Sequence, residues 1–270
     1  MKPARTIDTS VPNAARMYDY WLGGKDNFAA DRQAVERAAR AVPQLPWLVR
    51  QSRSFLGRAV RFCVNAGITQ FLDIGTGLPT MQAVHQVAGQ LIADPHVVYV
   101  DNDPVVISHA QALLAAPHTA AVLGDLTRPE EFLGAEQVRR IIDFGRPLMV
   151  LVAAVLHFVP DDADPAGALA KLREAMAPGS YLLISHVEPL GDREVSGTAR
   201  AGAARELIEI RNTMALTSRG RTREEIAAFF GGMTLMDPGL TEVWKWRPDD
   251  DTVVNASDVI TIVGGVAKKD

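Results

Sequence analysis

The sequence predicts an α/β fold: a mostly parallel sheet, helices ahead of it, and an antiparallel pair at its end. Three observations carry that reading. From Thr69 onward, short apolar runs alternate with helical patterns. The runs are continuously apolar rather than alternating, so each strand is buried on both faces by covering helices. The last two runs follow one another without a helix between them, which reads as a hairpin.

Residues 1 to about 66 hold no strand-like run. Asn27 to Val42 is rich in Ala, Glu and Arg, all tolerant of helix. Pro46 to Ala66 predicts a longer helix, with proline in its first turn and Gly67 as its stop. Leu48, Phe55, Leu56, Ala59, Val60 and Cys63 make its apolar face. The Gly23-Gly24 pair interrupts the aromatic stretch before these helices. Five strand beats follow, at Gln70 to Ile74, Val97 to Val100, Ala120 to Leu123, Leu148 to Val155 and Tyr181 to Ser185. Asp103 and Asp164, each just before a proline, predict helix caps. Thr222 to Glu225 reads as a capping box ahead of a short helix, Ile226 to Phe230. Thr241 to Trp246 and Asp258 to Lys268 are the hairpin strands. Residues 1–66 are expected to form a helical cap or lid packed on the core, and residues 67–270 the main domain.

The 270 residues are 47% hydrophobic and 22% charged, which excludes disorder as the main state. A net charge of −4 offers no broad basic field for a nucleic-acid backbone. Cys63 is the lone cysteine, so neither an internal disulfide nor a Cys-rich zinc site is expected. The longest apolar run, Leu148 to Leu156, falls far short of the roughly 20 residues that span a bilayer. Met1 to Ser10 lacks the apolar core of a secretory signal. A cytoplasmic protein without membrane or nucleic-acid partners is expected.

Ligands of open α/β sheets bind beyond the carboxyl ends of the strands. The loop after the first strand, Asp73 to Thr80, carries Gly75 and Gly77, which permit a sharp turn and close backbone approach. A dinucleotide fingerprint needs a third Gly or Ala where Thr80 stands. Asp101 ends the second strand and can accept both hydroxyl protons of a ribose, while Asp103 fits the helix cap. Asp125 follows the third strand and can accept from an adenine amino group, with the Leu126 amide beside it; its alternative is a turn residue.

Together FLDIGTGLPT, VVYVDNDPVV, VLGDL and VAAVLHFVP resemble the class I S-adenosylmethionine-dependent methyltransferases. ARMYDYWLGGKDNFAADR narrows the resemblance to an S-adenosyl methyltransferase family long filed as a domain of unknown function, and GSYLLISH, RTREEI, DPGL and WRPD agree. The match runs from about Pro12 to Lys268. It implies a Rossmann-like seven-stranded sheet with an antiparallel last strand, and S-adenosylmethionine as cofactor. It further implies that Asp73, Gly75 and Gly77 line the methionine end and that Asp101 holds the ribose, with Asn102 beside the adenine. Asp125 and Leu126 match the adenine-edge pair, and Ala153 and Ala154 the strand-four motif beneath the sulfonium. Pro79 replaces the third glycine of the first motif. Strand four lacks the Asn/Asp-Pro-Pro-aromatic motif of enzymes that methylate amino groups of nucleic acids or protein glutamines.

Methyl transfer from a sulfonium needs few catalytic side chains. His157, after the fourth strand, is the candidate base, with a wall residue as its alternative. His186 is a weaker second. No histidine pair has zinc-motif spacing, and no metal is expected. Tyr20, Gly24, Lys25 and Asn27 suggest a lid over the cofactor, whereas Met17 and Trp21 suit a core. Arg53 can pair with the methionine carboxylate, or be a solvated charge. Arg219, Arg221 and Arg223 read as a solvated run, and Trp244 and Trp246 as packing on one strand face. The reading is a methyltransferase acting on an O or N atom of a small molecule. The alternatives are a non-enzymatic module binding the cofactor or its product, and a nicotinamide oxidoreductase, which Thr80 and the hairpin disfavour.

Overall fold

The computed structural model describes residues 8–78, 83–113, 118–189, 202–203, 205–207, 209–210, 219–249, 254–257 and 259–270. The expectations at Pro79, Thr80 and Asp258 lie outside these residues. Three helices come first: α1 (Ala14–Trp21), α2 (Ala29–Ala41) and α3 (Leu45–Asn65). The sheet and its helices follow as β1 (Gln70–Ile74), α4 (Val84–Gly89), β2 (His96–Asp101), α5 (Pro104–Leu113), β3 (Thr119–Leu123), α6 (Pro129–Leu133), α7 (Glu136–Arg139) and β4 (Met149–Ala153). Two 3₁₀ turns, Leu156–Phe158 and Asp161–Ala163, lead into α8 (Pro165–Ala175) and β5 (Tyr181–Pro189). The chain ends with α9 (Arg223–Ala228), β6 (Thr234–Leu235), β7 (Thr241–Glu242) and β8 (Ile260–Lys268).

The strand order is β3-β2-β1-β4-β5-β8-β6, with β7 also paired to β8. β1 to β5 run parallel, and β8 pairs antiparallel with β5 over nine residues. The sheet thus has eight strands, two of them only two residues long, where seven were expected. Successive strand residues face opposite layers. Phe71, Tyr99, Leu151 and Leu183 belong to one core with residues of α2 and α3, while Leu72, Val98, Val150 and Leu182 belong to another with residues of α6, α8 and α9. Burial on both faces is what the continuous apolar runs encode.

Helix α1 stands apart from the two N-terminal helices read from sequence, which begin at Asn27. Asn13 caps it, its Oδ1 accepting from the Ala15 and Arg16 amides. Asp31, fully buried, ties α1 to α2: it accepts from the Asn13 and Phe28 amides and from Arg16 Nε at 2.8–2.9 Å. The predicted caps hold, with Asp103 accepting from the Val105 amide, Asp164 from Gly167, and Thr222 and Glu225 forming the box.

The predicted strand through Trp246 is a correction. β7 stops at Glu242, and residues beyond it turn. The reason is Arg58 on α3, buried, whose guanidinium donates to the Val243 and Trp246 carbonyls at 2.6 and 3.0 Å. That supplies the partners a neighbouring strand would otherwise provide. The turn drives Trp246 edge-on against Phe55 and Phe62, and Trp244 against Trp47. Both tryptophans are packing residues. Gly264 on β8 makes room for this, since a Cβ there would sit 2.6 Å from the Phe55 ring.

Candidate functional site

A cavity of about 1350 Å³ opens at the carboxyl ends of the parallel strands. Ligand pockets commonly measure about 300–1000 Å³, so there is room for two molecules side by side. Three loops build its polar wall. The loop after β1 brings Asp73, Gly75 and Gly77; the loop after β2 brings Asp101 and Asn102; the loop after β3 brings Asp125 and Leu126. Ala153, Ala154 and His157 enter from β4, and Arg53 from α3. The rest of the lining includes an apolar set, Leu48, Val49 and Leu56 of α3, Trp21 of α1, and Ile260 and Ile262 of β8.

The loops are stitched together by backbone. Gly75 donates to the Val100 carbonyl at 2.7 Å, and Gly77 to Asp101 Oδ2 at 2.9 Å. Asp101 Oδ1 accepts from the Asp103 amide. Each Asp101 oxygen therefore keeps acceptor capacity for a ligand hydroxyl. Gly75 has φ +69°, and a Cβ on it would lie 2.2 Å from Val155 Cγ2. Left-handed strain and overpacking combine there, so Gly75→Ala should lose about 2–3 kcal/mol of stability. Chemical denaturation checks this; an unchanged midpoint would mean Val155 moves freely. Ala154 is left-handed too, at φ +57°, with its amide held by the Ser185 carbonyl and hydroxyl. That bend carries the chain from β4 towards His157.

Two buried carboxylates give the polar wall its character. Asp73 is pushed up to about 6, chiefly by burial, with Arg53 opposing and Asp101 adding. Asp101 is raised by burial against the amides of Asp103 and Gly77. Such a wall suits a cation. Asp125 Oδ1 holds its own turn through the Thr127 amide and hydroxyl.

His157 is held well below the ordinary histidine range by burial, then by His186 and Arg221. It is neutral at pH 7, and its Nδ1 is buried without a hydrogen-bond partner. His186 Nδ1 faces the Val187 carbonyl at 2.7 Å, so it carries the ring proton, and the bare Nε2 accepts from Arg221 at 3.1 Å. Burial moves His186 down to about 4. Arg221 is a correction: it is 2% exposed, not solvated. It also donates to the Leu156 and Val159 carbonyls and to Asp161. Arg219 pairs with Asp161 and Glu225, and Arg223 with Glu188.

Tyr20, Gly24, Lys25 and Asn27 do not line the cavity; Asn13, Ala14, Met17, Tyr18 and Trp21 do. The loop after α1 is instead organised on buried Asp19, which accepts from the Asp26 amide and Asn27 Nδ2 at 2.9 Å. A Cβ at Gly24 would strike the Asp19 carboxylate. The same loop reaches the cavity rim, where Asp26 comes within 3.9 Å of His109 on α5. The signal in sequence for the true lining was the 3.6-residue spacing of Ala14, Met17, Tyr18 and Trp21 on one helix face.

The model of the S-adenosyl methyltransferase family matches residues 1–270. The chain belongs to that family. The crystal structure of a DUF574 family protein from Streptomyces avermitilis is 38% identical, with a TM-score of 0.87 over 98% of this chain and 100% of that one. A proposed methyltransferase from Thermobifida fusca is also 38% identical, with a TM-score of 0.84 over the full length of both chains. No functionally curated protein matches. The family's cofactor is S-adenosylmethionine, and the donor set fits it: a sulfonium and an ammonium suit the buried carboxylates, and a carboxylate suits Arg53. Among the described residues no helix is long and apolar enough to cross a membrane.

Proposed function

We propose that this methyltransferase acts on an O or N atom of an apolar small molecule. The observation that carries the reading is that one large cavity combines acidic residues at or just after the ends of β1, β2 and β3 with apolar side chains of α1, α3 and β8, with His157 on its lining. Asp73, Gly75, Gly77 and Arg53 would hold the methionine end of the cofactor, and Asp101 the ribose. Asn102, Asp125 and Leu126 would take the adenine, and Ala153 and Ala154 would lie beneath the sulfur. When bound, the cofactor supplies a methyl group already activated on a sulfonium. The protein orients the acceptor against these apolar side chains and excludes water with α1 and the loop after it. His157, neutral, takes the acceptor's proton at Nε2. In this reading residues 1–66 act as the cap and residues 67–270 as the methyltransferase domain.

Calorimetric titration with S-adenosylmethionine, S-adenosylhomocysteine and NADH tests the cofactor site. Both sulfur nucleosides should bind, about tenfold or more weakly to Asp101→Ala, because hydrogen bonds to a charged group are lost. Binding of NADH alone would overturn the reading. A screen of phenols and aromatic amines then seeks turnover. His157→Ala should slow it about 100-fold at unchanged cofactor affinity. No turnover with any acceptor, alongside tight cofactor binding, would favour a non-enzymatic binding module. Since His157 is neutral well below pH 6.5, its own titration should not reduce the rate between pH 8 and 6. A rate loss in that window that vanishes in Asp73→Asn belongs instead to Asp73.

A further inference from the structure

We infer a second site, for one first-row divalent cation such as zinc, formed by Asp94, His96 and His118. It lies at the opposite end of the sheet from the cavity. His96 opens β2 and His118 directly precedes β3, whereas the cavity begins at Asp101, about 17 Å further along β2 at the strand rise of 3.3–3.4 Å per residue.

Three features make the group a ligand set rather than a chance meeting of polar side chains. The first is spacing. Asp94 Oδ2 lies 3.7 Å from His96 Nε2 and 3.6 Å from His118 Nε2. Both separations exceed hydrogen-bond reach. A tetrahedral ion with bonds of about 2.0–2.1 Å sets its ligand atoms about 3.3 Å apart, close to both of these separations, and all three ligand atoms lie within 4.8 Å of one another. The second is the state of His96. Its Nδ1 faces the Ile141 carbonyl at 2.9 Å. A carbonyl only accepts, so Nδ1 carries the proton and Nε2 is bare towards Asp94. A backbone carbonyl behind the ring is the usual support of a ligating histidine. The third is anchoring. The His96 and His118 rings stack at 4.6 Å with 6° between planes, so the half-exposed His118 ring has to turn about its side-chain bonds to bring its in-plane lone pair onto an ion held by His96. The His96 amide is held by the Thr69 carbonyl, and the His118 carbonyl accepts from Val97. The β1–β2 and β2–β3 pairings thus fix both backbones.

Two imidazoles and one carboxylate favour zinc, nickel or copper over magnesium or calcium, which prefer all-oxygen sets. All three side chains keep contact with solvent, leaving the remaining positions to water. The sequence hid the site because its ligands come from the starts of two separate strands, with no motif spacing between them.

The test is calorimetric titration of untagged protein at 50 µM with zinc chloride, with magnesium chloride as control. One equivalent of zinc should bind and magnesium should not. His118→Ala and Asp94→Asn should each weaken zinc at least tenfold, while S-adenosylhomocysteine affinity stays at the wild-type value. Both positions are solvent-accessible, and equal thermal midpoints without metal confirm that the variants fold. Absence of zinc binding overturns the proposal. So does one-equivalent binding that survives both substitutions, which would place the ion elsewhere.

Discussion

Asp73→Asn should make the free protein more stable by about 3 kcal/mol at pH 7.5 and weaken S-adenosylmethionine binding on the order of 100-fold. Asp73 is the last but one residue of β1, within the sheet, and is almost fully buried. Its carboxyl is pushed from 3.8 to about 6, chiefly by burial. The native state thus holds a proton that the unfolded chain releases near pH 4. Where the native state binds more protons, stability falls as pH rises. The penalty is absent below about pH 4, grows between 4 and 6, and is complete above 6. Asparagine removes it while keeping an oxygen to accept from Thr76 Oγ1, now at 3.4 Å. The same substitution removes the negative charge that the cofactor's ammonium would meet. Urea unfolding of both proteins from pH 4 to 8, with calorimetry at pH 7.5, checks the pair of effects. The stability gap should close as pH falls to 4. A gap independent of pH, or a variant no more stable than wild type, would mean that Arg53 fully compensates the carboxylate. A functional group placed at a cost to stability is the expected signature of a binding site rather than of a core.

How far the sequence could be read follows from which interactions are local. Asp73, Asp101 and Asp125 were legible because each lies at or beside the end of an apolar run, and parallel strands bring such ends to one edge. Asp103 and Asp164 were legible as caps because the cap bond closes within a few residues. The loop that holds Gly24 and Asn27 is organised by a contact that residue types alone do not disclose. Asp19 is buried, and its carboxylate takes up the Asp26 amide and the Asn27 side chain. Glycine there serves close packing. Arg58 and Arg221 were hidden for the same reason. An arginine is normally solvated, and only the fold brings these two guanidiniums to carbonyls 62 and more positions away.

Replacing Arg221 by Met should lower stability by about 2–4 kcal/mol, the cost of leaving two buried acceptors, the Val159 carbonyl and His186 Nε2, without their donor. Arg221 comes from the segment before α9 and reaches the turn that bears His157. Its guanidinium meets the Leu156 carbonyl at 2.7 Å, Val159 at 2.8 Å, Asp161 at 2.9 Å and His186 Nε2 at 3.1 Å. Methionine matches the stem but donates to none of them, leaving buried acceptors unpaired. Arg221→Lys keeps the charge but lacks the planar fork, so it should recover only part of the loss. The two histidines supply an independent readout. The Arg221 charge lowers both His157 and His186, so both should titrate higher in the Met variant than in wild type. Urea unfolding and imidazole resonances followed against pH would show the two effects together. The turn has hydrogen bonds of its own, from Phe158 to Val155 at 2.8 Å and from Val159 to Leu156 at 3.1 Å. If the Met variant stayed within about 1 kcal/mol of wild type, those bonds alone would be holding the turn that bears His157, and Arg221 would have no part in positioning it.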